Sequence, residues 1–267
     1  MTSLAAARTL IQLAELPPAT AFAADTVEGG GMPEFDAARE QALVIGSDVV
    51  SFTTGVESGF RQAIADSSLF AQLVAIRKVG ADADPIAFFD AYFETLLGLG
   101  WIVQQRDTAE FNYDGTGFDV HEAVIGVISA FLAPIAGAAA AVLTVLEGLR
   151  KMEPDKPFIK LFDKQSRHAK IGRFQFTYVR PDPEHGLIAE IMAFALNADN
   201  VVTQVLFFRL RKGSTMLRRS LGTLSIDTEA LDGLRPNLAA KVKAFRQSFI
   251  AEADLGPPPG EVRTLAS

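Results

Sequence analysis

The chain has 267 residues, 49% of them apolar, with 20 Phe, one Trp, three Tyr and no Cys. That is enough for one large domain or two modest ones with a real core, and it excludes a disordered chain, disulfides, thiolate metal sites and a cysteine nucleophile. The net charge of -7 hides an asymmetry: residues 1–150 carry 19 acidic and 7 basic side chains, net -12, while residues 151–267 carry 13 acidic and 18 basic ones, net +5. The two halves are expected to attract each other, inside one chain or head to tail between copies.

The first segment, "MTSLAAARTLIQLAEL", reads as a short amphipathic helix ended by Pro17-Pro18. Ala21-Phe22-Ala23 has the small-x-small form of a cleavage site, but Gln12 and Glu15 interrupt the stretch before it and only Arg8 is positive. A cytoplasmic location, or release without a classical signal peptide, is therefore the expectation. The Gly-rich stretch Thr26 to Glu34 reads as a linker. The spacing divides the chain into a helix and linker over 1–34, a single domain over 35–255 and a tail over 256–267. Within that domain, 35–153 is mainly helical and 154–255 is sheet plus helix.

From Gly55 to Ile76, Phe60, Ile64, Leu69, Leu73 and Ile76 recur at helical spacing, which predicts one or two amphipathic helices. Asp84-Pro85 starts another: the carboxylate caps, and proline at the first turn lacks only an N–H that would have no partner. Phe89, Tyr92, Phe93 and Leu96 line one face, and Gly98 and Gly100 end it. "WIVQQRDTAEFNY" has strand composition. Asp119 with Glu122 three residues on has the form of a capping box.

That helix leads into "AVIGVISAFLAPIAGAAAAVLTVL", Ala123 to Leu146, 24 residues without a charge. The length suits a bilayer, but eight alanines and two glycines gain little in lipid, and Pro134 divides the run into two globular-length helices. A buried helix–break–helix is the expectation. The second reading is a hairpin hidden in a soluble body and released into membranes, inserting Val124, Val127, Ile128, Phe131, Leu132, Pro134, Leu143 and Leu146. In that one respect the layout resembles alpha-type pore-forming toxins.

Beyond Pro154 "IGRFQFTYVR", "GLIAEIMAFAL", "VTQVLFFRLR" and "STMLRRSLGTLSI" read as four strands, separated by the turn-rich "PDPEHG", "NADN" and "KGST". Short turns imply antiparallel neighbours, and two-sided apolar character in the second and third implies cover on both faces. Leu231, Leu234, Leu238, Val242, Phe245 and Phe249 place a C-terminal helix in Thr228 to Leu255, divided at Pro236. The expected fold is α+β: a helical N-terminal half with one short strand, then a four-stranded antiparallel β-meander and a C-terminal helix.

Chemistry is sparse. His121, His168 and His185 lack metal-ligand spacing and read as solvated. There is no nucleophile elbow or phosphate loop, and "NYDGTGFDVHEA" fails as a calcium loop because Ala123 stands where a glutamate is required. Glu190 is the one acid inside an apolar strand. Paired with an arginine such as Arg209 it is structural, and beside a polar pocket it would be an acid/base catalyst. The cluster Arg209, Arg211, Lys212, Arg218 and Arg219 is the candidate interaction surface. Nucleic acid is disfavoured as its partner, because the chain is acidic and no aromatic binding motif accompanies the arginines.

"SSLFAQLVAIRKV", "FFDAYFETLLGLGWIVQQ", "LFDKQSRHAKIGRFQF" and "VLFFRLR", in this order, resemble a pattern shared by a loose group of small bacterial and fungal proteins without assigned function. The resemblance spans most of residues 55–250, implies a common fold and brings no catalytic residue. The sequence thus points first to a non-enzymatic, cofactor-free protein that assembles with copies of itself through its acidic and basic halves. Second comes a membrane-active protein meeting an anionic bilayer, and third an enzyme built on Glu190.

Overall fold

The structure, a computed structural model, describes residues 2–25, 30–81, 83–114, 119–151, 156–168, 171–198 and 214–252. At its centre is a mixed sheet. Seven strands lie in the order β3-β7-β6-β5-β2-β1-β8, and the two-residue β4 (Arg167–His168) pairs with β5 beside them. The strands are β1 (Gln41–Ile45), β2 (Asp48–Phe52), β3 (Ile102–Asp114), β5 (Ile171–Asp182), β6 (Gly186–Ala198), β7 (Ser214–Ile226) and β8 (Ile250–Glu252).

The fold is α+β, but the four-stranded antiparallel meander with a single short N-terminal strand is overturned. The strand expected near residue 102 is 13 residues long and forms an edge of the sheet. The chain also contributes β1, β2 and β8, and β2 runs parallel to β5, pairing Asp48 with Gln175 through Phe52 with Val179. The physical reason is burial. Every residue of β1 and β2 is buried, so their sequence shows none of the alternation that marks a half-exposed strand. The strand read over 202–211 lies outside the described residues. The hairpin of β5 and β6 forms where expected. It closes over Pro183 to His185, with the Asp182 carboxylate accepting from the Glu184 and His185 amides (3.0 Å each) and Gly186 at φ 76°.

Helices cover both faces. On one side lie α1 (Leu4–Leu13), α2 (Ser58–Val79), α3 (Pro85–Gly98), α7 (Thr228–Val242) and the short α8 (Arg246–Phe249). They pack on Leu43, Ile45, Val50, Phe52, Val179 and the small side chains Ala189, Ala193 and Ala195. Gly222 of β7 extends this close approach, since a Cβ there would stand 2.9 Å from the Phe93 ring. On the other side lie α4 (Val120–Leu132), α5 (Ala138–Lys151) and α6 (Pro157–Ser166), against Phe174, Phe176, Met192, Phe194, Leu196, Leu217 and Leu221. β6 is therefore covered twice, as its two apolar faces require.

Three helices depart from expectation. The amphipathic stretch after Gly55 is one 22-residue helix, α2, buried nearly all round, because α3 and α7 pack on it as well as the sheet. α7 runs through Pro236 without dividing. The segment after it stays helical only to Phe249, through a 3-10 turn at Lys243–Phe245 and then α8, and returns to the sheet as β8. Asp84 and Asp119 do cap α3 and α4, accepting from the Ile86 amide (2.9 Å) and the His121 amide (3.0 Å).

Candidate functional site

The uncharged segment folds as α4, a turn over residues 133–137, and α5. The turn forms because Pro134 has no N–H to continue the helix, while Gly137 takes φ 77°, open to it at no steric cost. The Ile135 amide donates to Leu132 O (2.9 Å) and the Ala138 amide to Ile135 O (3.1 Å). One stripe faces the sheet: Val120, Val124, Ile128 and Leu132 from α4, with Ala138, Val142, Val145, Leu146 and Leu149 from α5. Beneath them Phe174 and Phe194 stack at 5.4 Å, and Phe176 meets Phe194 edge-on at 6.4 Å.

The hairpin is an outer layer, not an interior one. Gly126, Ala130, Ala133, Pro134, Ala136, Ala140 and Thr144 are exposed. A surface helix ordinarily turns charge to water on that side, and here the outer face is small and uncharged from Ala123 to Leu146. Of the residues singled out for insertion, Val124, Ile128, Leu132 and Leu146 are buried on the sheet, Val127, Phe131 and Leu143 are partly buried, and Pro134 is exposed at the tip. At the base His121 Nε2 lies 3.3 Å from Glu147 Oε1, joining the first turn of α4 to the last of α5. His121 is buried, contrary to its reading as solvated. That contact holds the Glu147 carboxyl below its usual range, assisted by Arg150. His185 is exposed, with Nδ1 2.9 Å from Asp182 Oδ1, and His168 falls in β4.

A cavity of about 290 Å³ opens between α5 and β2, lined by Glu40, Ser51, Thr53, Ala141, Thr144 and Tyr178 among others. Glu190 does not line it. Its carboxylate accepts from Thr223 Oγ1 (2.6 Å) and stands 3.7 Å from Arg180; Arg209, the partner expected from the sequence, lies outside the described residues. Burial raises its pKa, with Thr223 and Arg180 opposing.

The basic cluster is divided. Arg209, Arg211 and Lys212 lie outside the described residues. Arg218 pairs with Glu110 (2.7 Å) and Asp84 (2.8 Å), and Arg219 with Asp107 (3.1 Å). These arginines of the basic half are thus neutralised by the acidic half of the same chain.

On the opposite face a second polar centre went unread in the sequence. Asp48 at the start of β2 is fully buried. It accepts from Ser68 Oγ (2.9 Å) and from Thr177 Oγ1 (3.0 Å), and Ser68 in turn accepts from Tyr92 OH and Gln72 Nε2 (3.3 Å each). Burial pushes the Asp48 carboxyl up to about 7, against the lowering by Gln175, Ser68 and Thr177. The available signal was polar residues, Ser68 and Gln72, placed one helical turn apart in an otherwise apolar α2. Among the described residues no group of three or more His, Asp or Glu is arranged to hold a metal.

No protein-family model matches the chain, and no curated protein is significantly similar to it. Solved structures with partial likeness include a delta-endotoxin, with 13% identity and TM-score 0.37 over 68% of this chain and 84% of that one. The activated Cyt2Ba monomer from Bacillus thuringiensis subsp. israelensis shares 13% identity, with TM-score 0.31 over 62% and 94%. The Evf virulence factor shares 10%, with TM-score 0.29 over 88% and 90%. At these TM-scores the likeness carries neither a fold assignment nor a function.

Proposed function

We propose that the protein is membrane-active and that the α4–α5 hairpin is the part that meets lipid. One observation carries this reading: a helical hairpin uncharged from Ala123 to Leu146 forms an outer layer, apolar on its sheet side and without charge on its water side. Turned over onto a bilayer, it loses no charge solvation and exchanges the sheet's aromatic face for acyl chains. At 1.5 Å per residue each helix is about 20 Å long, short of a hydrocarbon core of about 30 Å. Among the described residues no helix is long and apolar enough to cross a membrane. The hairpin therefore enters as a pair of short helices seated in the interface.

Self-assembly through complementary halves has less support, because Arg218 and Arg219 are already engaged within the chain. Catalysis by Glu190 is likewise weakened by the pairing of its carboxylate with Thr223 and Arg180.

Because the chain has no cysteine, Ala136→Cys at the exposed tip takes a single polarity-sensitive fluorophore. Vesicles are expected to shift its emission to the blue and to leak their contents. Ala130→Asp, on the exposed face, should fold normally and leak at least tenfold more slowly. A label that stays in water, with no leakage from the unsubstituted protein, would sink the proposal.

A further inference from the structure

The surface beside the hairpin is basic, although the chain as a whole is acidic. Residues 150–170 carry seven Lys or Arg against three Asp or Glu, whereas residues 1–100 carry 13 acidic and five basic side chains. Helix α6 turns this local excess into a surface. Its Leu161 and Phe162 are buried on the same sheet face as the hairpin, Phe162 meeting Phe174 edge-on at 6.3 Å. Lys156, Lys160 and Lys164 then follow at four-residue intervals and are exposed. The Lys160 amide donates to Lys156 O (3.0 Å), which sets Lys156 one turn below Lys160 on the same side. Lys151, at the end of α5, is exposed five residues earlier. Lys164 has an interaction within the chain, whereas Lys151, Lys156 and Lys160 make no described ion pair.

We propose that Lys151, Lys156 and Lys160 form a docking surface for an anionic lipid bilayer, which presents the hairpin face of the protein to the membrane. This deepens the membrane-active reading and rests on it. Charge complementarity and position select the occupant. A row of lysines next to an uncharged apolar-to-small surface is the arrangement that binds phosphate headgroups while its neighbour meets acyl chains. On the far side the exposed Asp90, Glu94 and Asp232 are each paired within the chain, to Arg106, Lys78 and Arg235, so the lysine row itself sets the orientation. Acidic groups also stand on the docking side, among them the exposed Glu40 at the cavity beside α5. Glu122 is exposed, Glu147 is held by His121 and Arg150, and Asp163 is engaged within the chain.

The test is co-sedimentation at low salt with vesicles of phosphatidylcholine containing phosphatidylserine, and with phosphatidylcholine alone. The unsubstituted chain and the triple variant Lys151→Gln/Lys156→Gln/Lys160→Gln are compared after thermal melting shows both folded. The unsubstituted protein should prefer the anionic vesicles. Each lysine is expected to contribute about fivefold in affinity, and the three together on the order of a hundredfold. Equal binding by the triple variant, or equal binding of the unsubstituted chain to both vesicles, overturns the surface. So does equally tight binding to duplex DNA or polyglutamate, which would make it a general polyanion site. Lysine-dependent binding with the Ala136→Cys label still in water keeps the docking surface and removes hairpin entry. Leakage undiminished in the triple variant, with its binding unchanged, removes the docking surface alone.

Discussion

Asp48 receives hydrogen bonds from Ser68 and Thr177 and forms no ion pair among the described residues. In the unfolded chain its carboxyl ionises near 3.8, and in the fold burial raises this to about 7. The folded state therefore holds a proton that the unfolded state releases. Stability from this group is fully present below about pH 4 and is lost as pH rises through 7, a loss on the order of a few kcal/mol. Chemical denaturation from pH 4 to 9 should show unfolding free energy falling up to about pH 7 in the unsubstituted protein, with no further contribution from this group above it. Asp48→Asn, whose amide suits the Ser68 and Thr177 hydroxyls, should flatten that slope. An unchanged slope would assign the titration elsewhere. Arg61 is the converse case, a buried cation with four acceptors for its five N–H donors. Its guanidinium donates to Val56 O, Arg39 O, Thr53 O and Gln41 Oε1 at 2.7–2.8 Å, tying α2 to the open end of the β1–β2 hairpin.

The hairpin α4–α5 is held to the sheet by one stripe of each helix, and truncating that stripe should favour release. Leu146→Ala removes a fully buried side chain above the aromatic face and is expected to lower stability by about 2–5 kcal/mol. In the vesicle assay it should leak faster, because less apolar contact opposes opening. Slower leakage at lower stability would mean that the hairpin acts while still docked. The position of this element was legible in the sequence: Asp119 starts it, Pro134 breaks it and the uncharged run defines its length. Its layer was not, because a run without charge reads as interior. Only the packing shows that the water side carries alanine and glycine where charge would be usual.

Across the whole molecule, the acidic and basic halves meet within one chain. Arg218 reaches Asp84 and Glu110, Arg219 reaches Asp107, and Arg246 closes a two-pronged pair with Asp66 (2.9 and 2.6 Å). Light scattering in the absence of lipid is therefore expected to give the same particle mass at low and high salt. A mass that falls with salt would restore head-to-tail assembly. The sheet is also joined in two parts. Among the described residues, β8, β1 and β2 meet β5, β6, β7 and β3 only along the five-residue parallel seam of β2 and β5, with Asp48 at its first pair.

Local chemistry determined the capped helix starts at Asp84 and Asp119, the hairpin of β5 and β6, the two-sided cover of β6 and the break at Pro134. Each is written in neighbouring residues, as a carboxylate before a helix or a turn between apolar runs. The tertiary structure alone decided the rest. β1 and β2 are buried on both faces and so lack alternation, although Gly46 and Ser47 between them form the two-residue turn that would have announced a hairpin. The parallel pairing of β2 with β5 joins residues about 125 positions apart, and no local pattern encodes it. The same distance hid the polar centre: Asp48, Ser68, Tyr92 and Thr177 are unremarkable one by one and acquire chemistry when two strands and two helices bring them together and exclude water.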